Sequence, residues 1–136
     1  MELSFKLQLL ISGFTLGIIF FQTALSAPIV FGNLKPDQSK IYIRKIFPKI
    51  FSLLTIIGSS MLILNFIFGI NFKLQYYVSL TTIILPLVCL WMIPATNNAK
   101  DENNKSRFRF LHALSVILTM SVFLINLIWI FFTAIN

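Results

Sequence analysis

The chain has 136 residues, of which 57% are hydrophobic and 11% are charged, and its formal net charge is +7. A soluble domain carries about 25% charged residues, so the composition excludes an ordinary soluble fold and indicates a membrane protein. Nucleic-acid binding is not expected either, because it needs a folded basic face on a soluble domain.

Four apolar runs without Asp, Glu, Lys or Arg follow one another along the chain. A helix needs about 20 apolar residues to cross a hydrocarbon layer of roughly 30 Å, and each run approaches or exceeds that length. The runs do not alternate apolar and polar residues as outer-membrane strands do. We therefore predict an all-α fold, a single membrane domain (1–136) that is a bundle of four transmembrane helices with antiparallel neighbours. The predicted helices are about 9–31, 50–70, 76–93 and 110–134, and the long loops are 32–49 and 94–109.

The first run carries polar side chains at helical spacing. They should face the interior of the bundle, because an unpaired polar group is costly in lipid. Gly13 and Gly17 form a small-xxx-small pair that favours close helix contact, within the bundle or in a dimer. The polar face of the run consists of Ser12, Thr15, Gln22 and Ser26.

The same run has a competing interpretation as a secretory signal. Lys6 precedes it, and the small residues of "ALSA" at 24–27 resemble a cleavage site. Cleavage there would place the basic loop 32–49 outside the cell, against the positive-inside rule. We therefore predict that the first helix is retained.

The segment "KPDQSKIYIRKIFPKIF" (35–51) has apolar and basic residues on opposite sides at helical spacing. Proline is costly inside a helix, so we predict a short amphipathic interfacial helix that ends near Phe47, with the second span beginning at Pro48. Such a segment can lie on the bilayer with its cations among anionic lipid headgroups, or it can dock a partner.

Only residues 71–75 separate the second run from the third, so these two helices should be neighbours. Asn65 in the second helix and Thr82 in the third are further candidates for a polar interior. Pro86 should kink the third helix, and Cys89 has no second cysteine with which to form a disulfide.

The fourth run has a polar face as well, made by His112, Ser115, Thr119 and Asn126. His112 is the only histidine and lies one turn after Arg109, where its imidazole can still reach water. Haem between helices commonly needs two axial ligands, so we expect His112 to form hydrogen bonds instead. The chain has no paired carboxylates, nucleophile–base pair, phosphate loop or metal-ligand cluster, so we predict no enzyme and no catalytic, cofactor or metal site.

The basic residues predict an orientation. Nine of the 11 Lys and Arg residues lie in the two long loops. Loops rich in Lys and Arg stay in the cytoplasm, which predicts a multi-pass protein of a bacterial inner membrane with both termini outside. Tyr76, Tyr77 and Trp129 would then be aromatic anchors at one interface, and Trp91 at the other.

Three motifs resemble those of the transmembrane-protein-205-like family, small four-helix membrane proteins whose domain has no known function. They are "APIVF" (27–31) with "RKIFP" (44–48), "PATNNAKD" (94–101) and "RFRFLHALSV" (107–116). The resemblance covers nearly the whole chain, although Thr119 stands where the family often has Asn. It implies a cluster on the cytoplasmic side made by Pro28, Phe47, Pro48, Pro94, Asn97, Asp101, Phe108, His112 and Ser115.

Asn97 or Asp101 of this cluster is expected to accept a hydrogen bond from His112 or from a basic loop residue, which would lock the two cytoplasmic loops together. The eukaryotic family member is associated with drug resistance and export. Our first functional expectation is a non-enzymatic accessory or structural subunit with a membrane-protein partner or a second copy of itself. The alternatives are an oligomeric transporter or channel for a small solute or drug, and a haem-binding redox protein.

Overall fold

The computed structural model describes residues 2–135 of the chain. All regular structure within them is helical, and four helices are long and apolar enough to cross a membrane. The first of the four is a continuous run of α1, a π-helical segment and α2. The elements are α1 (Glu2–Phe20), the π segment (Phe21–Ser26), α2 (Ala27–Asn33), α3 (Pro36–Ile67), α4 (Lys73–Asp101) and α5 (Lys105–Ile135).

The π segment has a cause in the sequence. Pro28 has no N–H group, so it cannot donate the usual helical hydrogen bond to the carbonyl of Ala24. The preceding N–H group, that of Ala27, donates to the carbonyl of Gln22, five residues back. Such single-turn π segments often lie at functional sites, because they change which side chains share a face of the helix.

Two tight turns join α3, α4 and α5. Gly69 has a φ of 57°, and the following N–H group, of Ile70, donates to Asn65 O at 2.9 Å. Asn103 has a φ of 55° between α4 and α5, where the N–H of Asn104 donates to a carbonyl of α4 in the same way. These are the bonds of a left-handed helix cap, for which Gly and Asn are the favoured residues.

The helices extend well beyond the predicted spans. The predicted loops 32–49 and 94–109 are largely helical, and the connections there are only residues 34–35 and 102–104. The predicted spans were too short because charged residues end an apolar run without ending the helix. At about 1.5 Å per residue, each of the four spanning helices is more than 40 Å long and exceeds the hydrocarbon thickness.

The separate interfacial helix ending near Phe47 is not present, since α3 continues through Pro48. An internal proline removes one backbone donor, here the partner of the Arg44 carbonyl, and the turns on either side keep the helix intact. Residues 36–47 are therefore the first part of α3.

Packing follows a ring in which α3 contacts α4, α4 contacts α5, and α1 contacts both α5 and α3. Between α3 and α4, Asn65 hydrogen-bonds to Ser79, and Arg44 to Asn97. The last part of α3 therefore lies beside the first part of α4, and the first part of α3 lies beside the last part of α4.

Apolar side chains fill the space between these helices in two clusters. The buried members are Ile19, Phe51, Leu54, Cys89 and Val122 in one, and Ile57, Met61, Val78 and Trp129 in the other. Large apolar side chains are also exposed on the outside, for example Phe14 on α1, Phe66 on α3 and Ile128 on α5. A helix bundle with apolar side chains both in its interior and on its outer surface is compatible with a lipid environment.

Two sequence expectations about packing were wrong. Among residues 2–135, no atom outside their own helix lies within 4 Å of a Cβ built on Gly13 or Gly17, so this pair makes no close helix contact within the bundle, and contact in a dimer stays a prediction. Trp129 is not an interfacial anchor, because it is fully buried. Its ring centroid lies 5.8 Å from that of Phe5 and 6.0 Å from that of Phe72.

Candidate functional site

The most distinctive feature of the interior is a set of polar side chains between the helices, which we call the buried polar layer. Its members come from all four spanning helices and are each 0% exposed. They are Gln8, Ser12 and Thr15 on α1, Asn65 on α3, Gln75, Ser79 and Thr82 on α4, and Asn126 and Trp129 on α5.

One chain of hydrogen bonds in this layer joins α1, α3 and α4. Gln8 Nε2 donates to Asn65 Oδ1 at 2.5 Å and to the carbonyl oxygen of Met61 at 3.1 Å. Asn65 Nδ2 donates to Ser79 Oγ at 3.1 Å, and Ser79 Oγ donates to Gln75 O at 2.8 Å. Asn65 is the central link, because both ends of its amide are used.

A second set of bonds joins α4 to α5. Asn126 Nδ2 donates to Thr82 Oγ1 and to Val122 O, both at 2.9 Å. Thr82 Oγ1 in turn donates to Val78 O at 2.8 Å. Every neighbouring pair in the sequence α1, α3, α4 and α5 is therefore joined by at least one buried hydrogen bond between side chains.

Several polar atoms of the layer have no hydrogen-bond partner among residues 2–135. Each buried group left unpaired costs about 1–3 kcal/mol, against a total stability of about 5–15 kcal/mol for a typical protein. The layer can therefore bind water or a small neutral solute, but none of its side chains is ionisable, so it cannot act as an acid or a base. The unpaired atoms are Gln8 Oε1, Ser12 Oγ, both side-chain atoms Oε1 and Nε2 of Gln75, Asn126 Oδ1 and Trp129 Nε1.

The predicted polar interior is only partly the same set. Ser12, Thr15, Asn65, Thr82 and Asn126 belong to the layer. Thr15 uses its hydroxyl within its own helix, where it donates to a backbone carbonyl at 3.0 Å. Thr119 is only partly buried, and its hydroxyl also donates within its own helix.

Gln22 and Ser26 are buried away from the layer, near the first part of α3. Ser26 Oγ lies 2.9 Å from the hydroxyl oxygen of Tyr42 in a hydrogen bond. Gln22 is 7% exposed, and among residues 2–135 its side-chain amide makes no hydrogen bond.

Gln8 and Gln75 were missed because each lies just outside an apolar run, where a glutamine is typical of a loop. The missed signal was the spacing: Gln8 precedes Ser12 by four residues and Thr15 by seven, on the same helical face.

A second polar group, which we call the ion-pair cluster, lies at the other end of the bundle. Lys40 Nζ and Arg44 Nη2 lie 2.6 and 2.7 Å from Asp101 Oδ1, and Arg44 Nη2 also donates to Asn97 O at 3.4 Å. Asp101 lies eight residues beyond the predicted third span, and the hydrogen bonds from Lys40 and then Arg44 hold its pKa below the ordinary value. The carboxylate therefore stays charged and joins the start of α3 to the end of α4.

His112 is not part of this cluster. It lies on an exposed part of α5, and its ring stacks on that of Phe108 with the centroids 5.8 Å apart. Lys100 Nζ lies 4.8 Å from the centre of the same phenylalanine ring. Within residues 2–135, Asp101 is bonded by basic side chains and not by His112.

The remaining members of the predicted cytoplasmic cluster make local contacts. Phe47 stacks on Phe51 with the ring centroids 5.7 Å apart, and Ser115 Oγ donates to a carbonyl of its own helix at 3.0 Å. Pro28 and Pro94 are exposed, and Pro48 is partly buried within α3.

Residues 10–105 match the family described as "Domain of unknown function (DUF4149)". The chain belongs to this family. No curated protein and no solved structure matches the chain. The family match includes Arg44, Asn97 and Asp101 and ends before His112, so the ion-pair cluster of this chain lies within the matched residues.

We predict that Asp101→Asn lowers the melting temperature slightly and that His112→Ala leaves it unchanged. Exposed ion pairs contribute little and are screened by salt, so the effect of Asp101→Asn should shrink in 1 M NaCl. The measurement is thermal unfolding in detergent at low and high salt, with Glu102→Gln as the control for loss of a neighbouring carboxylate. A destabilised His112→Ala protein, or equal effects of Asp101→Asn and Glu102→Gln, would contradict the assignment of these contacts.

Proposed function

We propose that this DUF4149-family protein is a non-enzymatic accessory or structural subunit of a bacterial inner membrane, and that it belongs with the transmembrane-protein-205-like proteins. The buried polar layer carries the proposal. Its side-chain hydrogen bonds link neighbouring helices, and its members are uncharged. Such a layer is better suited to stabilising a helix bundle than to acid–base catalysis. The protein would act through its surface, towards lipid and a membrane-protein partner or a second copy.

We also propose antiparallel neighbouring helices, with residues 32–49 and 94–109 on the cytoplasmic side and both termini outside. The order of the paired residues along α3 and α4 supports this arrangement. The basic residues support the orientation, because nine of the 11 lie at the end of the bundle that holds the ion-pair cluster. In this placement the first turns of α3 lie at the membrane surface, where exposed lysines meet anionic headgroups.

Cysteine labelling tests the orientation. In a Cys89→Ala background, Asn71→Cys should react with a membrane-impermeant maleimide added to intact spheroplasts, and Lys105→Cys should react only after the membrane is opened. Both positions are exposed and lie next to connections between helices, so access to the reagent depends on the side of the membrane. The reverse pattern, or labelling of both positions from outside, would overturn the proposed orientation.

Purification from the native membrane tests the function. The tagged protein is extracted in a mild detergent and should elute with a membrane protein at a fixed ratio. Tyr77 is exposed, so Tyr77→Ala serves as a surface variant for mapping the contact. Elution as a homo-oligomer that conducts or carries a solute in proteoliposomes would instead favour the transporter proposal. The unpaired amides of the buried polar layer are the observation behind that second proposal, because they can hydrogen-bond a polar solute.

A further inference from the structure

A groove of about 390 Å³ lies between α1 and α3. The two helices meet where Gln8 bonds to Asn65 and again where Ser26 bonds to Tyr42, and the groove is open on the outer surface between these contacts. We call it the α1–α3 groove. Its size is within the usual range of ligand pockets, about 300–1,000 Å³. The lining residues used below are Phe14, Gly17, Ile18, Gln22, Ile46 and Ile50.

The groove is apolar along most of its length but contains one unpaired amide. Phe14, Gly17 and Ile18 form its α1 side, and Ile46 and Ile50 form part of its α3 side. This lining suits a hydrocarbon chain.

Gln22 lines the same groove, in the π segment. It is 7% exposed, and no donor or acceptor of residues 2–135 hydrogen-bonds with its side-chain amide. An amide held in apolar surroundings without a partner is costly. A ligand with a carbonyl or hydroxyl oxygen next to its apolar part would bond to this amide.

Cations lie beside the groove on α3. Lys49 is exposed and follows the groove residues Tyr42 and Ile46 by seven and three positions, which places it on the same side of the helix. Lys40 and Arg44 are held by Asp101, whereas Lys49 makes no ion pair within residues 2–135. A free cation at this position favours an anionic group on the ligand.

We propose that the α1–α3 groove binds one acyl chain of an anionic phospholipid. The groove brings together an apolar lining and the Gln22 amide, with the Lys49 cation beside them, and these groups match the acyl chain, the ester carbonyl and the phosphate of such a lipid. Phe14 on α1 and Gln22 in the π segment are eight residues apart, so about 12 Å of the groove along the first spanning helix is available to the acyl chain. The inference rests on the proposed placement of residues 36–49 at the membrane surface.

The glycines of α1 provide a matched test. Among residues 2–135, a Cβ on Gly17 or on Gly13 meets no atom within 4 Å beyond the adjacent backbone of its own helix. Only Gly17 lines the groove, so Gly17→Leu should fill it without disturbing the fold, and Gly13→Leu is the control. The protein is delipidated in detergent and titrated with dioleoyl-phosphatidylglycerol or dioleoyl-phosphatidylcholine, and bound lipid is counted by native mass spectrometry.

Wild type and Gly13→Leu should retain one phosphatidylglycerol molecule, about tenfold more tightly than phosphatidylcholine. Gly17→Leu should lose at least tenfold in affinity for phosphatidylglycerol at an unchanged melting temperature. Gln22→Leu should weaken the binding of both lipids, and Lys49→Gln should weaken only that of phosphatidylglycerol.

Equal lipid retention by Gly17→Leu and Gly13→Leu would overturn the proposal, since the bound lipid would then be ordinary boundary lipid. A dimer that Gly17→Leu converts to monomer, with lipid binding unaltered, would overturn it in favour of a second copy in the groove. Cysteine labelling reports the orientation separately, so a failed lipid result with the expected labelling pattern would leave the proposed topology standing.

Discussion

Gly58→Ala should destabilise the protein by about 1–3 kcal/mol, the range found when extra atoms are forced into a packed interior. A Cβ at this position would lie 2.7 Å from the carbonyl carbon of Thr82 and 2.8 Å from the backbone nitrogen of Ile83. Both atoms belong to the backbone of α4, which cannot move as a flexible side chain can. The only relief is for α3 and α4 to separate.

The loss should occur although alanine is the better helix former by about 1 kcal/mol. Gly13→Ala isolates that preference, because among residues 2–135 a Cβ there meets no atom within 4 Å beyond the adjacent backbone of its own helix. We expect Gly13→Ala to match or exceed the stability of the wild type, while Gly58→Ala falls below it.

Thermal unfolding in detergent measures both variants. A Gly58→Ala protein as stable as Gly13→Ala would mean that α3 and α4 do not approach at this point, and the packing of the two helices would need to be revised.

Asn65→Ala should cost about 1–3 kcal/mol, because it removes hydrogen bonds from two fully buried partners. Gln8 Nε2 would keep only the carbonyl of Met61, and Ser79 Oγ would lose its donor. The link from α1 through α3 to α4 would then be broken at its centre.

A double-mutant cycle with Gln8→Ala isolates the bond between the two amides. Such cycles between membrane helices average about 0.6 kcal/mol and reach about 1.7 kcal/mol, so a coupling in that range is expected. Asn98→Ala, at an exposed asparagine, is the control and should change stability by less than about 0.5 kcal/mol. If Asn65→Ala behaves like Asn98→Ala, the buried polar layer does not hold the bundle together.

The four apolar runs were sufficient to predict the four helices long enough to cross a membrane, because in lipid only a continuous helix satisfies its own backbone groups. They did not predict where the helices end. Hydropathy falls at Lys49 and at Pro94, yet α3 and α4 both include these residues. The ends depend on local hydrogen bonds, such as those around Gly69, which hydropathy does not measure.

The candidate site was predictable to the extent that it lies inside the runs. Asn65, Thr82 and Asn126 were expected in the interior because a lone polar group in lipid needs a partner. Their pairing was not predictable, since Asn126 bonds to Thr82 across 44 residues of chain. The α1–α3 groove was not predicted either, because it depends on how α1 and α3 diverge in space, which the sequence pattern does not specify.

The glycines show the same limit. Gly13 and Gly17 have the spacing typical of close helix contact, but the close contact is at Gly58, which has no such spacing partner in α3. A spacing pattern identifies a row of small residues on one face of a helix. Whether the backbone of another helix packs against that face depends on how all four helices are arranged.

The tight approach of α3 to α4 has a consequence for biogenesis. The two helices are consecutive, and only residues 68–72 connect them, so they can pair in the bilayer as soon as both have left the translocon. Asn126 is synthesised later, and its bond to Thr82 requires that this early hairpin already exposes the threonine to the arriving α5. Truncated nascent chains ending after Asp101 should therefore already contain a protease-resistant helical hairpin.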